Sequence, residues 1–188
     1  MESSFDVGQI EQVLSPWVTL VTRRVQFPDD HQVQEYHSLK LADYAAVLAV
    51  TTDGKIPLVR QYRPAQRRVT LELPSGFVDP AEEPGRAALR ELREETGLQT
   101  DHMEPLGSLL PDSGRLENHI WGFFADGINP TASAVWQPEA GIEIVRVSRL
   151  ELQALILEGK FDHALHMAVI GLALTRGLFS YSGPACVN

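Results

Sequence analysis

The chain has 188 residues, 44% of them hydrophobic, which is enough for one globular domain with a proper core. Its formal net charge of -9 argues against nonspecific nucleic-acid binding, but not against a polyanionic small substrate, because divalent cations can invert the local sign. The only cysteine, Cys186, excludes an intramolecular disulfide and fits a reducing cytoplasm. MESSFDVGQIEQV lacks the basic and apolar regions of a secretory signal, and no run approaches the ~18 uninterrupted apolar residues of a membrane span.

In chain order, Trp17–Phe27 is β-branched and half-alternating, and Gln32–Leu39 alternates again. PDDH between them reads as a turn, which predicts an antiparallel hairpin. Tyr44–Thr52 is nearly all apolar, as a buried strand should be, and TDGK turns the chain into a strand over Ile56–Tyr62. Val69–Leu73 is a further strand, leading through Pro74-Ser75-Gly76 into a helix over Pro84–Glu95. Leu106–Leu110, His119–Ala125 and Ile142–Val147 complete the strands. Ser148 and Glu151 have the spacing of a capping box and predict a helix to about Glu158, and Asp162 is placed to cap a last apolar helix over His163–Arg176. Strands and helices mix without strict alternation, which predicts an α+β fold or a sheet sandwiched between helices.

The chemistry concentrates in Gly76–Leu98, GFVDPAEEPGRAALRELREETGL. Pro84 suits the first helical turn and Gly97 a left-handed C-terminal cap, while Ala87, Ala88, Leu89 and Leu92 supply apolar contacts. Glu91 and Glu95 are four apart and share a helix face, with Glu94 one step round. Like charges at that spacing repel, and the helix C-terminus disfavours anions further. A cation reverses both signs, and hard carboxylate oxygens suit Mg²⁺ or Mn²⁺. Arg90 can neutralise part of the cluster by pairing with Glu94.

These residues fill every specified position of G-x5-E-x7-R-E-U-x-E-E-x-G-U, with U a bulky aliphatic residue: Gly76, Glu82, Arg90, Glu91, Leu92, Glu94, Glu95, Gly97 and Leu98. The chain thereby resembles the Nudix hydrolases. WVTLVTRRVQFPD, VRQYRP, LELPSGFVD and LEGKFDHALHMAVIGLALTRG extend the likeness to the ADP-ribose and nucleoside-diphosphate-sugar pyrophosphatase branch. The resemblance implies a Nudix fold, a mixed sheet between helices, with residues 1–43 forming an N-terminal antiparallel β region that swaps within a homodimer and residues 44–188 forming the hydrolase domain. It also implies cleavage of a nucleotide sugar into a nucleoside monophosphate and a sugar phosphate, with water as nucleophile and Mg²⁺ as electrophile.

Residue by residue, the likeness assigns metal ligation to Glu91, Glu95 and the Ser75 carbonyl, with Glu94 adjacent. Glu82 and Arg90 would hold loop and helix together beside the catalytic group. Arg63 would clamp the diphosphate, and Trp17 and Tyr36 would stack on the nucleobase. The general base should lie on the loop before the Ile142 strand, with Glu139 the first choice, Glu143 the second, and Glu94 next if neither serves. Asp162, His163 and His166 have ligand-like spacing but are read as capping and lining a packed helix. ADP-ribose pyrophosphatases commonly carry a proline sixteen residues beyond the glycine matched by Gly97; here that position is Ser113, with Pro111 nearby, so PDSGRLEN reads as a rearranged substrate loop. Other readings are a Nudix hydrolase of a dinucleoside polyphosphate or nucleoside triphosphate, and a non-catalytic nucleotide sensor. The complete set of acids disfavours the sensor, and the N-terminal hairpin disfavours the triphosphate enzyme.

Overall fold

The computed structural model describes residues 5–28, 32–131, 136–137 and 139–182. Asp29, Asp30 and His31 of the expected PDDH turn, and Cys186, lie outside the described residues. The chain divides into two units, Met1–Asp43 with Leu110–His119, and Tyr44–Leu109 with Ile120–Asn188.

The first unit is built on a three-stranded sheet of β1 (Asp6–Ser15), β2 (Val18–Val25) and β3 (Gln34–Lys40). The strands are antiparallel, with β2 pairing β3 from Thr19↔Lys40 to Val25↔Gln34. Strand β1 was not expected from the sequence, because it has no buried face to impose alternation: Val7, Ile10, Val13 and Leu14 are all exposed. The PDSGRLEN segment belongs to this unit. Leu39 donates its N–H to the Arg115 carbonyl and accepts from the Glu117 N–H, while Arg23 and Ser38 both donate to the Glu117 carboxylate. Asn118 and His119 donate to the Ala42 carbonyl and the Asp43 carboxylate.

In the second unit, β4 (Tyr44–Thr51) lies inside the four-stranded sheet β7-β4-β9-β8, between β7 (Ser75–Phe77) and β9 (Ile120–Ile128), with β8 (Glu104–Leu109) beyond. β4 runs parallel to β9 and antiparallel to β7, so the sheet is mixed. A strand covered on both faces reads as a continuous apolar run, and β4 does. Its Ala45, Val47 and Ala49 pack with Ala87, Ala88 and Leu92 of α1 (Pro84–Thr96). Its Ala46, Leu48 and Val50 pack on the other side with Leu152 of α2 (Arg149–Leu157) and Val169, Ile170 and Ala173 of α3 (Ala164–Thr175). The TDGK turn carries the chain out of this sheet into β5 (Lys55–Arg63). That strand pairs with β6 (Arg68–Glu72) and β10 (Ile142–Ser148) in a second sheet, β10-β5-β6. The fold class is α+β, with a mixed sheet between helices.

Two helix starts separate the reading from the structure. Ser148 accepts from the Glu151 N–H at 3.2 Å and Glu151 accepts from the Ser148 N–H at 2.6 Å, the reciprocal capping box. Helix α3, by contrast, is not capped by Asp162. Its N-cap is His163, without a side-chain cap bond, and Asp162 instead pairs with Arg68 at 2.5 Å. Arginine's charge attracted the carboxylate away from the helix amides. No helix among the described residues is long and apolar enough to cross a membrane.

Candidate active site

The site grows from the passage of β6 through Pro74 into β7 and from the helix that follows. The Pro74 carbonyl accepts from the Val47 N–H at 3.0 Å, which ties the turn to the central strand. Buried Ser75 donates its N–H to Glu95 Oε2 at 2.8 Å and its hydroxyl to the Leu73 carbonyl at 2.8 Å, and it receives the Tyr44 hydroxyl at 2.5 Å. Burial, above all, pushes the Tyr44 phenol up, so it stays a neutral donor. Gly76 is required by close approach and not by backbone conformation. A Cβ there would stand 2.2 Å from Glu91 Oε1 and 2.6 Å from Oε2, so the carboxylate rests on bare backbone.

Helix α1 starts with Pro84 at its first position and ends at Gly97, whose φ of 72° is left-handed and whose N–H bonds the Arg93 carbonyl. Arg90 is the clasp of the motif. Its Nε and Nη2 donate to the two Glu82 oxygens at 3.1 and 2.9 Å, and Nη2 also reaches the Phe77 carbonyl at 2.9 Å. Its Nη1 donates to Glu91 at 2.6 Å and to Glu94 at 3.3 Å. The pair with Glu94 anticipated from the spacing is therefore the longest of these contacts, and Arg90 spends its donors on holding protein groups.

Charge compensation is uneven across the acids. Burial raises the Glu91 carboxyl, Arg90 opposes that, and the charges of Glu94 and Glu139 add to the rise. Glu95 is 6% exposed, and its carboxyl is pushed up to about 8 by burial, with Glu91 and Glu72 adding to the rise and the Ser75 N–H opposing it. Two neighbouring carboxylates that resist sharing negative charge, one cradled against a glycine, form an all-oxygen donor set that could hold a hard divalent cation.

Beyond Tyr44, Arg63 on β5 grips Glu72 on β6 as a fork, Nε to Oε1 at 2.8 Å and Nη2 to Oε2 at 2.5 Å. Burial of Glu72 works to raise its carboxyl, but the Arg63 and Thr70 hydrogen bonds and the Arg63 charge win and hold it at about 2. Its neighbours His163 and His166 stack with ring centroids 3.8 Å apart. Glu72, His163 and His166 bring potential ligand atoms within 4.8 Å of one another. Two of the three residues are already engaged, Glu72 by Arg63 and Thr70 and His166 Nδ1 by the Leu73 N–H at 3.0 Å, while His163 Nδ1 is buried without a hydrogen-bond partner among the described residues. With Nδ1 accepting, the His166 proton sits on Nε2, so that nitrogen has no lone pair for a metal. Burial pushes His166 down to about 3, and it is neutral.

Of the residues singled out in the sequence, Ser75, Arg90, Glu91, Glu94 and Glu95 converge in the second unit. Arg63 meets them through Glu72 and Tyr44. Exposed Glu139 is close enough that its charge is felt at Glu91. Glu143 instead pairs with Arg60 at 3.0 Å on the β5–β10 ladder. Trp17 and Tyr36 belong to the first unit, where both are exposed and the Tyr36 hydroxyl donates to Gln34. The sequence reading passed over Glu72 and Trp136. A lone acid in the otherwise apolar LELP was the available signal for Glu72. Nothing local marks Trp136, whose Nε1 donates to the Glu94 carbonyl at 2.9 Å.

Comparison with known proteins shows the family. A NUDIX domain model matches residues 40–167, and the chain belongs to the Nudix hydrolase family. Among its relatives, a methanol dehydrogenase activator of Bacillus methanolicus is 30% identical, the match covering 89% of this chain and 92% of that one. An ADP-ribose pyrophosphatase of Bacillus subtilis is 32% identical over 63% of this chain and 64% of its own length. A solved ADP compounds hydrolase superposes with a TM-score of 0.73 over 95% of both chains at 20% identity, a likeness of fold.

Proposed function

We propose that the chain hydrolyses the diphosphate bond of a nucleoside diphosphate-sugar, ADP-ribose or a close analogue, to a nucleoside monophosphate and a sugar phosphate, and that it requires Mg²⁺, with Mn²⁺ able to substitute. The carrying observation is the pair of crowded carboxylates Glu91 and Glu95 beside Ser75, the second pushed up to about 8 by burial and like charge. Glu91, Glu95 and the Ser75 carbonyl would hold the metal, with Glu94 adjacent. Bound there, Mg²⁺ would draw charge from the phosphoryl oxygens and favour attack by water.

The remaining roles fall to side chains. Glu139 takes the proton of the attacking water, and Arg90 keeps Glu91 and Glu94 aimed by fixing them to the Glu82 loop. Arg63 offers the diphosphate its Nη1, which makes no hydrogen bond among the described residues while Nε and Nη2 hold Glu72. Trp17 and Tyr36 stack on the base, in keeping with residues 1–43 pairing two copies into a cytoplasmic homodimer. The position of β1 at the end of its sheet, with Ile10 and Val13 on it and Trp17 in the following turn all exposed, supports that assembly.

The test incubates the protein with ADP-ribose, GDP-mannose, UDP-glucose and a diadenosine polyphosphate, with Mg²⁺ or excess EDTA, and identifies the phosphomonoesters released. Turnover of a nucleotide sugar that stops with EDTA is expected; full turnover in EDTA, or cleavage of the diadenosine compound alone, overturns the reading. Glu139→Gln should lower kcat by about 10²–10⁴-fold with KM nearly unchanged, whereas Glu143→Gln, already committed to Arg60, should stay near wild type.

A further inference from the structure

Glu139, the proposed base, itself lies in no helix or strand, so something else must hold it. Glu139 is exposed and precedes β10, whose first residue, Ile142, donates its N–H to the Glu139 carbonyl at 3.1 Å. That bond ties the C-terminal side of Glu139 to the β5–β10 ladder, where Ile142 pairs with Gln61. On its N-terminal side the tie is Trp136. The last carbonyls of an α-helix have no partner within the helix. In α1 the Arg93 carbonyl is closed by the Gly97 N–H, while the Glu94 carbonyl is closed by the Trp136 indole Nε1–H at 2.9 Å. An indole nitrogen can only donate, and an unpaired helix-end carbonyl is the acceptor it needs. Trp136, Gln137 and Glu139 line one cleft of about 560 Å³ with Arg93, Glu94, Gly97 and Gln99 of the metal helix and its cap.

We propose that Trp136 is a positioning residue for the reaction: by closing the Glu94 carbonyl it fixes Glu139 against the carboxylate helix, so that base and metal ligands share one frame. This rests on Glu139 being the base. The influence of the Glu139 charge on Glu91 is consistent with that placement. The indole serves two ends at once. It satisfies a backbone acceptor beside three carboxylates, where a further unpaired negative dipole is costly, and it converts a loop glutamate into part of the helix's C-terminal turn.

Trp136→Phe keeps the ring and removes the donor. With ADP-ribose and Mg²⁺, losing one neutral hydrogen bond at a positioning tether should lower kcat by about 5- to 10-fold. KM and the Mg²⁺ concentration for half-activation should change less than about twofold, since the substitution leaves substrate and metal ligands in place. Placed in a Glu139→Gln background, Trp136→Phe should cost nothing further, because it acts through a group already disabled. In the metal-free protein, amide exchange at Ile142 should speed up by about tenfold while exchange within β4 and the middle of α1 is unchanged, a readout that needs no turnover and also reports that the variant is folded. Unchanged exchange at Ile142, an unchanged kcat, an altered Mg²⁺ requirement, or an equal loss in the Glu139→Gln background each overturns the proposal. A Glu139→Gln enzyme with wild-type kcat refutes the base assignment instead, and this separates the two failures.

Discussion

Arg63 is the residue whose replacement should couple stability to pH most visibly. Its guanidinium makes two hydrogen bonds to Glu72, whose side chain is 0% exposed while that of Arg63 is 38% exposed. Arg63→Ala therefore leaves a buried carboxylate with only the Thr70 hydroxyl at 2.6 Å. Removing one partner of such a pair costs roughly 3–5 kcal/mol, and at about 2–4 °C per kcal/mol for a chain of this size the midpoint should fall by roughly 6–20 °C near neutral pH. The loss also depends on pH. In the wild type Glu72 is held at about 2, below its unfolded value, so its contribution is present above the unfolded pKa and is lost as pH falls toward 2. Without Arg63, burial, the largest influence on Glu72, is opposed chiefly by the Thr70 hydrogen bond and raises the folded pKa, so the variant loses stability as pH rises. The gap between wild type and Arg63→Ala should thus widen from pH 5 to pH 8. Calorimetry or circular dichroism at both pH values measures it, with Arg63→Ala/Glu72→Gln as the control, because a neutral amide tolerates the site better. A midpoint for Arg63→Ala within about 2 °C of wild type at pH 8, or a double variant no more stable than the single one, would refute the reasoning.

Gly76→Ala should lower the melting midpoint by a few degrees, since it pushes the far end of Glu91 off its 2.6 Å bond from Arg90, and weaken Mg²⁺ half-activation by about 10–100-fold by displacing that carboxylate. In excess EDTA, the folded Glu95 carboxyl at about 8 holds a proton that the unfolded chain has already released, so metal-free stability should decline as pH rises from 5 to 8. Glu95→Gln should flatten that slope, as read by melting scans across the range, and lower Mg²⁺-dependent kcat by about 10²-fold or more. Ser148→Ala breaks the capping box of α2 and should cost about 1 kcal/mol, a drop of about 2–4 °C in the same scans.

What was legible in the sequence follows from how local its physical cause is. Helix α1 carries its own start and stop in Pro84 and Gly97, and β4 announces burial on both faces by its unbroken apolar run, so both were readable. The same holds for the Ser148–Glu151 capping box, whose two partners are three residues apart. Strand β1 was not legible, because an exposed strand has no periodicity to display. The cap of α3 was misread because Asp162 had a competitor distant in sequence, Arg68. Within the site, the helix acids could be placed relative to one another from helical geometry alone. The Arg63–Glu72 fork and the Trp136–Glu94 tether join separate elements, and no spacing rule predicts them.

The contrast between Glu72 and Glu95 shows why the long-range partners matter more than the acids themselves. Both carboxylates are buried, and both lie close to the turn at Ser75, which Glu95 touches directly and Glu72 precedes by three residues. Desolvation pushes each upward by the same mechanism. Glu72 meets an arginine fork and a threonine hydroxyl and is held at about 2, whereas Glu95 meets one backbone N–H and the negative charges of Glu91 and Glu72 and is pushed up to about 8. Arg63 thus bonds Glu72 directly, whereas at Glu95 its charge is felt only as the last and smallest of the effects and does not offset burial. A carboxylate satisfied internally has no further claim on a cation. One left uncompensated beside a second carboxylate gains from any hard cation that arrives, and it must release its proton to accept it.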